Sequence, residues 1–154
     1  MLNALTIDVE DYYHVSAFEA VVPVADWERY ESRVERNTHR ILDLLDAHTA
    51  KATFFVLGWV AERHPGLIRT LVARGHEVAS HGYAHRRVYT QTPEQFRTET
   101  RRSKGLLEDI LGQPIRGYRA ASYSITMQSL WALDVLREEG FVYDSSIFPI
   151  RHDL

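Results

Sequence analysis

Five short, apolar, β-prone runs alternate with segments of helical pattern along this 154-residue chain, and no other feature narrows the fold as much. The runs are residues 3–9 (NALTIDV), 52–56 (ATFFV), 77–80 (EVAS), 115–118 (IRGY) and 141–143 (FVY). Between them the apolar spacing turns helical. From Val34 it predicts a helix with Val34, Ile41, Leu44, Leu45 and His48 on one face. A short helix is expected from Gly58 to Arg63, and a second opens at Pro65 and stops at Gly75. Thr92, Pro93 and Gln95 spell a helix start, with Thr92 as the cap and Gln95 three residues on, and this helix ends at Gly112. A last helix is expected over residues 128–139, closed by Gly140. Strands alternating with helices specify a parallel α/β sheet with right-handed crossovers, which gathers ligand sites at the C-terminal ends of the strands. Residues 15–33 break the rhythm and read as a loop excursion too long for a simple connection.

The length fits one domain over residues 1–154. Composition removes several function classes. Eighteen Lys and Arg against twenty-one Asp and Glu leave a net charge of −3, so a nucleic-acid partner is not expected. No apolar window approaches the roughly 18 residues of a membrane-spanning helix. The first residues carry Asp8, Glu10 and Asp11 where a signal peptide needs basic and then apolar residues, and the chain is therefore expected in the cytoplasm. With no cysteine there is no disulfide, no thiolate nucleophile and no Cys-ligated zinc. Any metal must be held by His, Asp or Glu.

The placement rule singles out one set of residues. Asp8, Glu10 and Asp11 end the first strand, His81 and His85 follow the third, and Arg119 follows the fourth. Two neutral imidazoles and one carboxylate leave open positions on Zn²⁺ or a similar divalent ion, where a bound water loses its proton near neutral pH. A second carboxylate beside that water serves as general base. Strand alternation puts Asp8 and Glu10 on one side and Asp11 on the other, unless the strand has already ended, so the metal-binding acid stays open between Glu10 and Asp11. Arg119 is suited to clamp a carboxylate through its planar fork. Asp144, after the fifth strand, pairs with another rim residue or caps a turn. Tyr12, Tyr13, Tyr83, Tyr123, Trp59 and Phe148 are aromatic faces that suit sugar rings, or packing.

Taken together, Thr6–Ile7–Asp8–Val9–Glu10–Asp11, Ser80–His81–Gly82–Tyr83–Ala84–His85 and Tyr118–Arg119–Ala120–Ala121–Ser122–Tyr123 resemble the three leading motifs of the polysaccharide deacetylases, the carbohydrate esterases of NodB homology. Gly75–His76–Glu77 and Gly140–Phe141–Val142–Tyr143–Asp144–Ser145–Ser146 fit the same pattern. The opening Asp8–Val9–Glu10–Asp11–Tyr12–Tyr13–His14 is most similar to the branch found beside exosortase-linked exopolysaccharide loci, which implies work beside a membrane export machinery. The resemblance implies a (β/α) barrel and hydrolysis of N-acetyl groups on the amino sugars of a polysaccharide, with one divalent ion, Zn²⁺ by preference. It implies Asp8 as general base, His81 and His85 as metal ligands, Arg119 as holder of the base, and a backbone N–H near Ser122 or Tyr123 on the oxyanion. Relatives that cleave cyclic imides or amides, and a sugar-binding module without turnover, are the alternatives. Five strands against the roughly eight of a closed barrel predict that the barrel is incomplete at its C-terminal side. The family's last motif, which carries the general acid, finds no match, and His152 is the one later histidine.

Overall fold

The structure is a computed structural model and describes residues 3–147, so Phe148 and His152 lie outside the described residues. Five strands, β1 (Thr6–Val9), β2 (Thr53–Val56), β3 (Glu77–Ser80), β4 (Gly117–Tyr118) and β5 (Tyr143–Asp144), form one parallel sheet in the order β1-β2-β3-β4-β5. The connections carry α1 (Val34–Ala47), α2 (Gly58–Arg63), α3 (Pro65–Ala73), α4 (Pro93–Leu111) and α5 (Trp131–Glu138). Parallel strands in sequential order with crossovers of one hand put every helix on the same side of the sheet, as in the wall of a (β/α) barrel.

The two faces of the sheet differ accordingly. Val9, Phe54, Val56, Val78 and Tyr118 point to the helices and join Leu42, Ile68, Leu71, Leu107 and Leu136 in the hydrophobic core. In register on the other face stand Thr6, Thr53 and Glu77 at one level, with Asp8 and Phe55 at the next. That face is wired by polar bonds. Thr53 Oγ1 donates to Glu77 at 2.7 Å, and the Tyr143 hydroxyl donates to Glu77 at 2.8 Å. Gly117 has to be glycine there, because a Cβ would sit 2.1 Å from the Tyr143 ring.

Helix starts and stops follow the expected chemistry. Thr92 and Gln95 form a reciprocal capping box, and Gly112 ends α4 with φ of 64°. Three expectations need correction. The buried stripe of α1 is Val34, Thr38, Leu42 and Leu45, whereas Leu44 is 59% exposed and His48 is also exposed. The fourth and fifth strands are two residues each, since Ile115 N–H donates to the Glu108 side chain and Val142 N–H to the Arg116 carbonyl. Ile115 and Phe141 are buried, but by packing and not by a ladder. The last helix starts at Trp131, because Thr126 N–H and the Ser129 hydroxyl close a turn just before it. Residues 15–33 form two 3₁₀ turns, Ser16–Phe18 and Val24–Arg29. No helix of the described residues is long and apolar enough to cross a membrane.

Candidate active site

The rim at the C-terminal strand ends collects five residues, Asp8, Glu10, His81, His85 and Arg119, on or just after three strands. Arg119 follows β4 and is only 6% exposed. Its guanidinium lies 4.1 Å from the Phe55 ring centre, and its nitrogens are spoken for. Nη1 donates to Asp8 Oδ1 at 2.8 Å, Nη2 to Thr6 Oγ1 and Ser145 Oγ at 2.9 Å each, and Nε to the Ser145 carbonyl at 3.4 Å. The planar fork thus fixes Asp8 from one side, and Asp8 Oδ2 stands 4.0 Å from His81 Nε2.

The loop after β3 is held by its own polar groups and by α2. Gly82 and Tyr83 carbonyls accept the first N–H groups of α2, from Gly58 at 2.8 Å and Trp59 at 3.0 Å, so a helix start that would otherwise lack partners is satisfied by this loop. Ser103 of α4 donates to the same Gly82 carbonyl at 2.8 Å. The Tyr83 ring packs so close to α2 that a Cβ on Gly58 would lie 2.6 Å from it and 3.2 Å from Ser103 Oγ. Arg102 stacks on the Tyr83 ring at 3.6 Å. His85 closes the loop with φ of 51°, a left-handed conformation that a residue with a side chain adopts at a cost.

One donor atom from each of Glu10, His81 and His85 lies within 4.8 Å of the other two. His81 Nδ1 donates to the Arg119 carbonyl at 2.8 Å, which fixes the tautomer and leaves the Nε2 lone pair free. Glu10 Oε2 lies 3.2 Å from His85 Nε2, yet Glu10 Oε2 and His81 Nε2 are buried without a hydrogen-bond partner. Burial pushes the Glu10 carboxyl up to about 7, helped by the charge of Asp8. Burial also pushes His85 down to about 3, with the His81 and His14 rings adding to the shift, and it lowers His81 against the pull of Asp8. Two imidazoles kept neutral and a carboxylate with no cation, aimed at one point, fit a divalent ion with N and O ligands.

A family model described as polysaccharide deacetylase matches residues 26–141, which include His81, His85 and Arg119. The chain belongs to the polysaccharide deacetylase family. A chitooligosaccharide deacetylase of Bradyrhizobium sp. (strain ANU 289) is 34% identical over 99 residues, covering 64% of this chain and 43% of that protein. This chain thus spans under half the length of that curated relative. A Mycobacterium smegmatis crystal structure, provisionally described as a polysaccharide deacetylase, is 30% identical with a TM-score of 0.75, covering 94% of this chain and 50% of the other. A carbohydrate esterase family 4 pseudoenzyme from Bacillus anthracis shares the fold at 20% identity and a TM-score of 0.70, over 92% of this chain and 41% of that one.

The structure does not bring Asp11, the other acid candidate, to the Glu10, His81 and His85 group. The strand has ended at Val9, and Asp11 turns away from the rim to accept Ser32 Oγ at 2.7 Å and Arg33 N–H at 2.9 Å, ahead of α1. The group that could hold a metal contains Glu10 instead. Tyr123 N–H donates to the Ala120 carbonyl at 3.2 Å, which leaves Ser122 as the backbone candidate in that loop. Both residues have φ of 51°, and the Ser122 hydroxyl meets Ser16 Oγ at 2.9 Å across the rim. Among the aromatic candidates, Tyr13 and Trp59 are core, whereas Tyr12 and Tyr123 are exposed.

Several contributors were not anticipated from sequence. Thr6 and Ser145 hold Arg119, and His14 is buried with Nδ1 accepting Asp11 N–H at 2.8 Å, so it shapes the turn that carries Glu10. The bond uses only the backbone N–H of Asp11, so the sequence carried no specific signal for the role of His14. Asp144 caps its own turn, accepting Ser146 N–H at 2.9 Å.

Proposed function

We propose that this chain carries the base, its holder and the metal-ligating group of a hydrolase that removes N-acetyl groups from amino sugars of a polysaccharide. The observation that carries this reading is Asp8, fixed by Arg119 and set 4.0 Å from His81, beside the Glu10, His81 and His85 group. Glu10, His81 and His85 would hold the ion, Zn²⁺ by its liking for imidazole and carboxylate. Such an ion, when bound, supplies an acidified water and polarises the acyl carbonyl.

The chain's own residues serve the attacking half of the reaction. Asp8 Oδ2, the oxygen not engaged by Arg119 Nη1, takes the proton of the attacking water. Arg119 holds that carboxylate in line, and the Ser122 N–H supports the oxygen that becomes negative. The name of the Bradyrhizobium relative supports an N-acetylated oligosaccharide, and the opening motif's likeness to the exosortase-linked branch favours an exported polysaccharide. Acetate release from N-acetylated chitooligosaccharides by the zinc-loaded protein tests the reading. Release that disappears in His81→Ala/His85→Ala supports it. A protein that binds the sugar and zinc but releases no acetate would instead be a binding module.

A further inference from the structure

Asp144 stands in register with Tyr118, whose ring packs in the helix-side core, and a turn cap accounts for only part of what Asp144 and Ser146 do. Ser146 is fully buried, and its hydroxyl donates to Asp144 Oδ1 at 2.5 Å. The Ser146 hydroxyl oxygen in turn accepts the Ala120 N–H at 2.7 Å. That N–H belongs to the peptide group whose carbonyl, on Arg119, accepts His81 Nδ1–H at 2.8 Å. The chain of bonds therefore runs from His81 through one peptide group and one hydroxyl to a carboxylate. Every donor in it points the same way.

We propose that Asp144 and Ser146 are positioning residues for His81, acting through the peptide between Arg119 and Ala120. The inference rests on the reading of His81 as a metal ligand and adds who holds it. Hydrogen bonds aligned head to tail polarise one another, by about 10–30% per bond, and here the last acceptor is a carboxylate. The effect at His81 is twofold. The imidazole is locked with Nε2 toward the site, and electron density moved onto the ring makes that nitrogen a better ligand. A ligating histidine commonly gives its second N–H to a carboxylate or a carbonyl, and this chain does both in series. A simple turn cap needs only the Ser146 N–H bond to Asp144; it gives no reason for the buried hydroxyl to reach Ala120.

The test uses the whole chain with zinc ions as the probe. Zinc affinity is measured by competition with a chromophoric chelator, and the His81 Nδ1 proton is followed by NMR in zinc-loaded, ¹⁵N-histidine-labelled protein. Loss of outer-shell partners of a metal histidine typically costs on the order of 10- to 100-fold in affinity. Ser146→Ala is expected at the lower end, about tenfold. Asp144→Asn keeps the shape and an acceptor while removing the charge, so a loss of a few-fold and an upfield shift of the His81 proton are expected. If Ser146→Ala does not fold, Asp144→Asn decides alone. Wild-type affinity together with an unmoved His81 proton in folded Asp144→Asn overturns the relay and leaves the metal site standing. Zinc retained at full stoichiometry by His81→Ala overturns the metal reading, and the relay with it.

Discussion

Replacing Arg119 by lysine keeps the charge and discards the shape. The guanidinium serves Asp8, Thr6 and Ser145 at once from one plane, with bonds of 2.8–2.9 Å, while lying flat on Phe55. An ammonium on a flexible stem can follow Asp8 but cannot also reach Thr6 and Ser145 in that plane. Two charge-assisted hydrogen bonds to half-buried hydroxyls are therefore lost, at about 1 kcal/mol each, since water can take the place of the donor there. If those bonds are what hold Asp8 in line with the attacking water, about 2 kcal/mol appears in the barrier, which is roughly 30-fold. Arg119→Met goes further. It strands a carboxylate whose side chain is 27% exposed, so the loss should sit near the lower end of the ~3–5 kcal/mol seen for a broken buried pair, or above 100-fold. Steady-state acetate release gives the rates, and zinc content is measured on the same samples. The loss is expected in kcat with little change in KM, and zinc stays bound, because Glu10, His81 and His85 are untouched. Turnover of Arg119→Lys within twofold of wild type would refute the claim that the fork, and not merely its charge, positions Asp8.

Asp8→Asn should fold and hold zinc while losing on the order of 10²- to 10⁴-fold in rate, the range for a general base; zinc loss in that variant would make Asp8 a ligand. Glu10→Gln should lose zinc, whereas Asp11→Asn should keep it and cost about 1 kcal/mol of stability through weaker bonds to Ser32 and Arg33, read as zinc stoichiometry and urea midpoint. The apo protein should also show Glu10 in its pH dependence, since burial holds that carboxyl near 7 against an ordinary 4.5. A carboxyl raised on folding contributes stability below pH 4.5 that disappears as pH rises through about 7. Metal-free Glu10→Gln should therefore melt with wild type at pH 4 and above it at pH 8, and equal melting temperatures at both would contradict the shift.

What could be read from the sequence depended on how local each signal was. Strand alternation, the Thr92–Gln95 box and the Gly112 stop are all encoded within a few residues, and α4 formed where expected, whereas β4, β5 and the last helix came out shorter. The candidate residues came together for the same reason, because parallel topology alone sends the C-terminal end of β1 and the residues after β1, β3 and β4 to one rim. Helix face assignment in α1 failed since the stripe is set by what it packs against, and Leu44 is apolar without being buried. The choice between Glu10 and Asp11 needed to know that the strand stops at Val9 and that Arg33 waits ahead of α1 for a carboxylate. Thr6, Ser145 and Ser146 carry no signature of their own. Their roles arise from bonds across more than 20 residues of chain, as with Ser146 and Ala120.

The contact between Gly58, Tyr83 and Ser103 makes an evolutionary constraint out of a steric one. A methyl group at position 58 has no room while position 83 is an aromatic ring and position 103 bears a hydroxyl over the same spot. Natural variation at these three sites should therefore be correlated. Family members that carry alanine or serine in place of Gly58 should have a smaller residue where Tyr83 stands, and the histidine loop should have to find another anchor. The ancestry of a ligand loop would then be written partly in a helix that never touches the ligand.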